Sequence, residues 1–214
     1  MNNHQLKKEE YLDKNLIEEK FSIRFFSVYW TDKPKKDIIY KKKLVKNKEE
    51  CKNMKKNIKK KVLFISSTGG HLNELLQLAP LFEKYDYHII TEKDKANESL
   101  KDIYGEKLDF LPYGTRAKLF TYIFKYLYLC IKTIYYYFKL RPNVIVTTGT
   151  HTAGPMCILG KIFGSKVIYI ETFANTNKKT ATGRLLYPIA DLFIVQWEEM
   201  LKLYPKAVYG GSIY

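Results

Sequence analysis

The 214-residue chain has only three cysteines, Cys51, Cys130 and Cys157, far apart and in no CxxC or zinc-type spacing. That scatter excludes a disulfide framework and suits a reducing compartment. His4, His71, His88 and His151 are not at ligand spacing either, so no metal is expected. The GxSxG nucleophile elbow of serine hydrolases is missing. So is the GxxxxGK[ST] phosphate loop. Without GxGxxG the case for a dinucleotide is weakened, and no cofactor is expected. Met1–Lys20 is polar throughout, which excludes a signal peptide there. Acid is scarce as well: 22 carboxylates face 37 Lys and Arg, a formal charge of +15.

That charge is unevenly placed. Residues 1–61 hold 19 basic residues against 9 acidic ones, so they carry +10 of the total. The excess belongs to an arm more than to a binding stripe on a fold. Lys41-Lys42-Lys43 and Lys59-Lys60-Lys61 are poorly suited to a core, and residues 1–60 are expected to be a basic, poorly ordered N-terminal extension. Met54 begins a run leading straight into the first core strand, as a natural start does. Residues 1–53 are then expected to be an extension that the cell does not make, an expectation that native peptides upstream of Met54 in a mass spectrum would refute.

What is present from Val62 onward is regular. Val62–Ser67 is an apolar run rich in β-branched and aromatic residues. Thr68-Gly69-Gly70-His71 follows, and then a helical pattern over Leu72–Lys84. Adjacent glycines let backbone approach a ligand without a Cβ in the way. A helix start adds unpaired N–H groups that suit a phosphate or diphosphate. The same stretch serves equally well as a tight connection with no ligand. Further strands are expected at Tyr87–Thr91, Lys107–Leu111, Asn143–Thr147, Lys166–Ile170 and Leu192–Val195. Helices are expected at Asn97–Tyr104, Arg116–Leu140, Ala153–Phe163, Arg184–Ile189 and Glu198–Tyr204. This alternation specifies an α/β fold, a Rossmann-like open parallel sheet, over residues 61–214. Ligands gather at the carboxyl ends of such strands. Polar and glycine positions at 68–71, 91–92, 148–152 and 171–172 all fall there.

The stretch Arg116–Arg141 has its own rule. Lys118, Lys125, Lys132 and Lys139 recur every seven residues and so share one narrow side of a helix. Nearly everything between them is Leu, Ile, Phe or Tyr. A spanning helix would bury Lys125 and Lys132 at roughly 2.5–3.5 kcal/mol each. A helix lying in the membrane interface, lysines toward headgroups, avoids that cost. A core helix with one solvated stripe is the other reading.

His71 beside the glycine turn, His151 after the fourth strand and Glu171 after the fifth are the candidate functional side chains. Each histidine has an ordinary structural alternative. Glu171 is suited to bind a hydroxyl or to act as a base, and equally to cap the loop that follows.

Five ordered segments carry a resemblance: Ser67-Thr68-Gly69-Gly70-His71-Leu72-Asn73-Glu74-Leu75, Thr148-Gly149-Thr150-His151-Thr152-Ala153-Gly154-Pro155, Tyr169-Ile170-Glu171-Thr172-Phe173-Ala174, Tyr187-Pro188-Ile189-Ala190-Asp191 and Val195-Gln196-Trp197. Over about residues 60–214 the chain resembles the oligosaccharide-biosynthesis family that includes the membrane-anchoring subunit of the eukaryotic two-subunit N-acetylglucosaminyltransferase. It is similar above all to bacterial counterparts in capsule and exopolysaccharide operons. The family in turn is similar to the N-terminal half of the lipid-intermediate glycosyltransferase of peptidoglycan synthesis, a GT-B enzyme.

The resemblance implies a single GT-B half-domain that is not autonomous. A separate small glycosyltransferase subunit would bind the donor, so a UDP-sugar would be held mainly through that partner. This chain would recruit it to the cytoplasmic face of the plasma membrane as a peripheral protein and present a polyprenyl-diphosphate-linked sugar acceptor. Thr68, Gly69, Gly70 and His71 would bind the acceptor together with Gly149, Thr150 and His151, and His71 and Glu171 would be catalytic. Lys118, Lys125, Lys132 and Lys139 would face the membrane, doing the anchoring that the eukaryotic relative gives to an N-terminal span. The competing classes are a basic nucleic-acid-binding protein, which the tail-like charge and the lack of any RNA- or DNA-binding motif disfavour, and a stand-alone small Rossmann-like enzyme, which lacks a nucleotide fingerprint. No nucleic acid is expected as a partner.

Overall fold

In the computed structural model, which describes residues 59–113 and 119–214, the first core strand lies third from one edge of a seven-stranded sheet. The strands are β1 (Lys61–Ser66), β2 (Asp86–Glu92), β3 (Leu108–Leu111), β4 (Val144–Gly149), β5 (Lys166–Ile170), β6 (Leu192–Val195) and β7 (Val208–Tyr209). They are parallel throughout and run in the order β3-β2-β1-β4-β5-β6-β7. Five residues of β1 and all six of β4 are buried, as strands covered on both faces must be. The α/β Rossmann-like expectation holds. The seventh strand, Val208–Tyr209, is an addition: it pairs with β6 at the edge.

The helices are α1 (Gly70–Leu76), α2 (Ala79–Phe82), α3 (Leu100–Tyr104), α4 (Leu119–Leu140), α5 (Ala153–Ile162) and α6 (Ala181–Leu186). One sheet face packs Leu63, Ile65, Ile90, Ile145 and Val167 against Leu129, Tyr136 and Tyr137 of α4 and Met156 and Cys157 of α5. On the other face Phe64 meets Phe82 of α2, ring centroids 4.5 Å apart.

Four helices differ from expectation, three of them for a local reason. The single helix over Leu72–Lys84 is two, because Pro80 has no N–H for the ladder and its ring collides with the carbonyl four residues back. The helix therefore ends at Leu76 and restarts with Pro80 in the first turn of α2. The helix at Asn97–Tyr104 starts only at Leu100. Asn97 is engaged elsewhere: its Oδ1 accepts from Asp94 N, and its Nδ2 donates to Glu92 O and Thr68 Oγ1. The helix after Asn177 starts earlier than Arg184, at Ala181, because Thr180 caps it by accepting from Gly183 N at 2.9 Å. The segment at Glu198–Lys202 is a 3-10 turn in place of an α-helix.

The described part of the lysine-ruled helix is α4, 22 residues long. Lys118 lies outside the described residues, as does the N-terminal extension up to residue 58. No helix among the described residues is long and apolar enough to cross a membrane.

Candidate functional site

The strand order reverses between β1 and β4, and the chain leaves both strands at the same edge of the sheet. A parallel sheet opens a crevice there because successive crossovers go to opposite faces. Thr68–His71 follows β1 and Gly149–His151 follows β4, so the two predicted segments meet. Ser67 N donates to Gly149 O at 2.9 Å. Ser67 Oγ lies 2.6 Å from Thr150 Oγ1 and accepts from Thr150 N at 3.1 Å. Thr148 Oγ1 donates to His71 O at 2.7 Å.

Glycine has two different uses here. Gly149 sits at φ +102, in a region that side chains disfavour, and a Cβ on it would rest 3.7 Å from the His71 ring. Gly69, at φ +79, makes the turn into α1. At Gly70 nothing in the fold would meet a Cβ. Packing therefore does not demand a glycine at 70, and Gly70→Ala is expected to leave the melting temperature within a few degrees while lowering function if the turn contacts a ligand. Thermal unfolding alongside a binding assay checks this. Because α1 is only seven residues long, its dipole offers less to an anion than the longer helix expected from the sequence.

Beneath the two histidines lie three carboxylates, Glu74, Glu92 and Glu171, each at most 2% exposed. Glu92, at the end of β2, accepts from Thr152 Oγ1 at 2.6 Å and lies 3.2 Å from His151 Nε2. Glu74 Oε1 accepts from Thr172 Oγ1 at 2.9 Å and from Phe173 N at 2.7 Å. Glu74 Oε2 stands 3.8 Å from His71 Nδ1. Glu171 is surrounded by donors: Tyr169 OH, Thr180 Oγ1, Thr172 N and Tyr204 OH, the last at 2.9 Å.

Burial is the leading influence on the protonation of Glu171, Glu74 and His71. It pushes Glu171 above the usual carboxylate range, with the bonds from Tyr204 and Thr180 pulling back. It also raises Glu74, against the bonds from Phe173 and Thr172. His71 is held below the ordinary imidazole value by burial, partly offset by the Thr148 backbone and the Glu171 charge. The side chain of His71 remains about a quarter exposed. Burial thus favours its neutral form and leaves it partly open to solvent, whereas Glu171 is shut in and its oxygens are engaged.

Every predicted site residue at the sheet edge is thus brought to one place. The lysines Lys125, Lys132 and Lys139 are elsewhere, on α4. Sequence reasoning had placed Glu92 at the edge without a role, and it missed Glu74, Thr180 and Tyr204 as members of the network. A His-x-x-Glu spacing on a helix was a signal for Glu74. Tyr204 and Thr180 had none, since only the fold brings them to Glu171. A cavity of about 120 Å³ lies at the opposite end of the strands, between Lys61, His88, Lys107 and Lys139. Of its lining groups, His88 pairs with Asp109 and Lys107 with Asp86, both at 2.9 Å. Among the described residues no group of His, Cys, Asp or Glu is arranged to hold a metal ion.

Residues 62–213 match the family described as "Oligosaccharide biosynthesis protein Alg14 like". The chain belongs to the Alg14-like family. It is 28% identical over 202 residues to the UDP-N-acetylglucosamine transferase subunit ALG14 of Kluyveromyces lactis, covering 79% of this chain and 84% of that one. The subunit of the same name from Candida albicans is 30% identical over 167 residues, covering 68% and 74%. The human one is 24% identical over 177 residues, covering 71% and 82%.

Solved structures share the fold of this Alg14-like chain. MurG of Acinetobacter baumannii superposes with a TM-score of 0.53 at 18% identity, over 65% of this chain and 42% of MurG. UDP-GlcNAc 2-epimerase of Methanocaldococcus jannaschii, in complex with UDP-GlcNAc and UDP, gives 0.53 at 16%, over 70% and 46%. The Alg14-like chain thus spans less than half the length of these enzymes.

Proposed function

We propose that this Alg14-like chain is the acceptor-presenting half of a two-component glycosyltransferase. A separate small subunit supplies the UDP-sugar, and the acceptor is a sugar on a polyprenyl diphosphate. The observation that carries this reading is the meeting of the two βα turns around His71 at the switch point, in a chain that matches the family over residues 62–213. The relatives are named as UDP-N-acetylglucosamine transferase subunits, which makes UDP-N-acetylglucosamine the first donor to try. The setting, bacterial capsule or exopolysaccharide synthesis, rests on the resemblance of the motifs.

In this reading the acceptor hydroxyl gives its proton to His71 as its oxygen bonds to the donor's anomeric carbon. The bond from that carbon to the diphosphate breaks, and the nucleoside diphosphate leaves with the electron pair. Thr68, Gly69, Gly70, Gly149, Thr150 and His151 line the acceptor side. Glu171 holds the start and end of the loop over 172–180 through Thr172 N and Thr180. The test is transfer from radiolabelled UDP-sugars to a lipid-linked acceptor with each chain alone and with both. Label in lipid only with both supports the proposal, and transfer by this chain alone overturns the division of labour.

The proposed membrane surface is the outer side of α4 and α5. Ile123, Phe124, Leu127, Tyr128, Ile131, Ile134, Tyr135 and Phe138 are exposed on α4, and Ile158, Ile162 and Phe163 continue the patch, with the Phe138 and Phe163 rings 5.1 Å apart. An apolar patch of this kind marks an interaction surface. Lys125, Lys132 and Lys139 run along one border of the apolar arc, which is the arrangement of an interfacial helix. Lys132 and Lys139 lie over the Tyr128 and Tyr135 rings, at 5.5 Å and 5.9 Å. Each large side chain lost from the acyl boundary is worth about 1.5–3 kcal/mol. Ile131→Glu with Phe138→Glu is therefore expected to weaken liposome binding at least tenfold in a flotation assay. Lys125→Glu with Lys132→Glu should weaken it on anionic vesicles and less on neutral ones.

A further inference from the structure

Two buried polar atoms face each other in the site without a hydrogen bond. His71 Nδ1 and Glu74 Oε2 are both out of water and unpartnered, and they stand 3.8 Å apart. A buried group left in this state carries a desolvation penalty that one bond would remove. The two residues are three apart on α1, so they share a helix face. The other carboxylate oxygen is tied down by Thr172 Oγ1 and Phe173 N, at 2.9 Å and 2.7 Å, which fixes the direction of Oε2. Nδ1 is buried while a quarter of the His71 side chain is exposed, so the exposure falls on other atoms of the side chain.

We infer that Glu74 is the positioning residue for His71: its carboxylate pairs with Nδ1–H and thereby leaves Nε2 bare to accept the proton of the incoming hydroxyl. This rests on the reading of His71 as the base. The acceptor O–H bond breaks and its proton joins Nε2, while the oxygen bonds to the anomeric carbon and the nucleoside diphosphate departs with the electron pair. The imidazolium so formed carries its charge beside Glu74. A short movement of the ring closes the gap to hydrogen-bond length. Glu74 also fixes the start of the 172–180 loop, so the ring and that loop share one anchor.

The substitution Glu74→Gln separates the two duties. Its carbonyl still accepts from Thr172 and Phe173. Its amide only donates toward His71, so Nδ1 must become the acceptor and Nε2 must carry the hydrogen, where it has no lone pair for the substrate proton.

The experiment uses the full chain with ¹⁵N-labelled histidine, whose ring-nitrogen shifts report the tautomer, together with the transfer assay. The assay pairs the chain with its partner, UDP-N-acetylglucosamine and a polyprenyl-diphosphate-linked sugar. The native chain is expected to show Nδ1–H. Glu74→Gln is expected to show Nε2–H and a transfer rate lower by about 10²-fold or more. Glu74→Asp, which keeps a carboxylate, should restore Nδ1–H and part of the rate. A native Nδ1 without a proton overturns the inference, and so does Nδ1–H retained in Glu74→Gln, which would assign the tautomer to the Thr148 carbonyl. A tautomer that flips while transfer is unchanged overturns His71 as the base, and the positioning role with it.

Discussion

Replacing His71 with Ala is expected to lower transfer by the assembled two-chain complex about 10²–10⁴-fold, the range spanned by a positioned acid–base group. The loss should fall on kcat. The Michaelis constant for the UDP-sugar should change little, because in the proposed division of labour the partner holds the donor. Steady-state kinetics at saturating acceptor separate the two, and a variant retaining more than a tenth of the native rate would sink the assignment. The pH profile gives an independent reading. Burial disfavours the charged imidazole, so His71 has its folded-state pKa below the ordinary value of 6.5. The neutral, working form therefore prevails at pH 6.5 and is lost only as pH falls through that lower value. The groups around the ring agree with this sign: Glu74 and Glu171, which would favour its protonation, are themselves pushed toward neutrality by burial. The acid limb of the transfer rate should accordingly lie below pH 6.5, whereas an unburied histidine would have cost half the rate at that pH.

Gly183→Ala is expected to destabilise the fold by about 1–3 kcal/mol, the usual cost of overpacking. On an open helix the same change gains up to about 1 kcal/mol through helix propensity, so the sign is reversed by what surrounds the site. A Cβ on Gly183 would collide with Glu171 Oε2, with Tyr204 OH and with Thr180 Oγ1. None of the three can swing aside freely, because each is bonded to another: Tyr204 OH and Thr180 Oγ1 both donate to the Glu171 carboxylate. Relief must come from separating them, which strips a buried carboxylate of donors and releases the end of the 172–180 loop. At roughly 2–4 °C per kcal/mol for a domain of this size, the shift is readable by thermal unfolding. Transfer should fall with it, since the same loop start is held by Glu74 beside His71. An unchanged melting temperature would mean that the Glu171 network has slack which the packing does not show.

Much of this was legible in the residues themselves. The apolar runs Val62–Ser67 and Lys166–Ile170, separated by helical periods, called for a parallel sheet, and the glycine and histidine positions at strand ends called for a ligand edge. Boundaries were less legible where a side chain had a tertiary job, as with Asn97, whose amide bonds Thr68 and Glu92 and keeps helix α3 from starting there. The seven-residue spacing of the lysines is a property of the sequence alone. What the periodicity could not show is that a second helix, α5, extends the apolar surface beside it through Ile158, Ile162 and Phe163.

The sequence by itself determined the βα alternation, the two glycine turns and the family to which the chain belongs, because hydrophobic period and turn chemistry are local properties. Only the tertiary structure decided that Glu74, Glu92 and Glu171 lie buried under the two histidines. It alone decided that Tyr204 and Thr180 saturate one of those carboxylates while another keeps a bare oxygen facing His71. The strength of a carboxylate as acid, base or anchor depends on who donates to it and on whether water reaches it. Those neighbours come from segments up to 99 residues apart, as between Glu74 and Phe173, and are fixed only when the sheet closes.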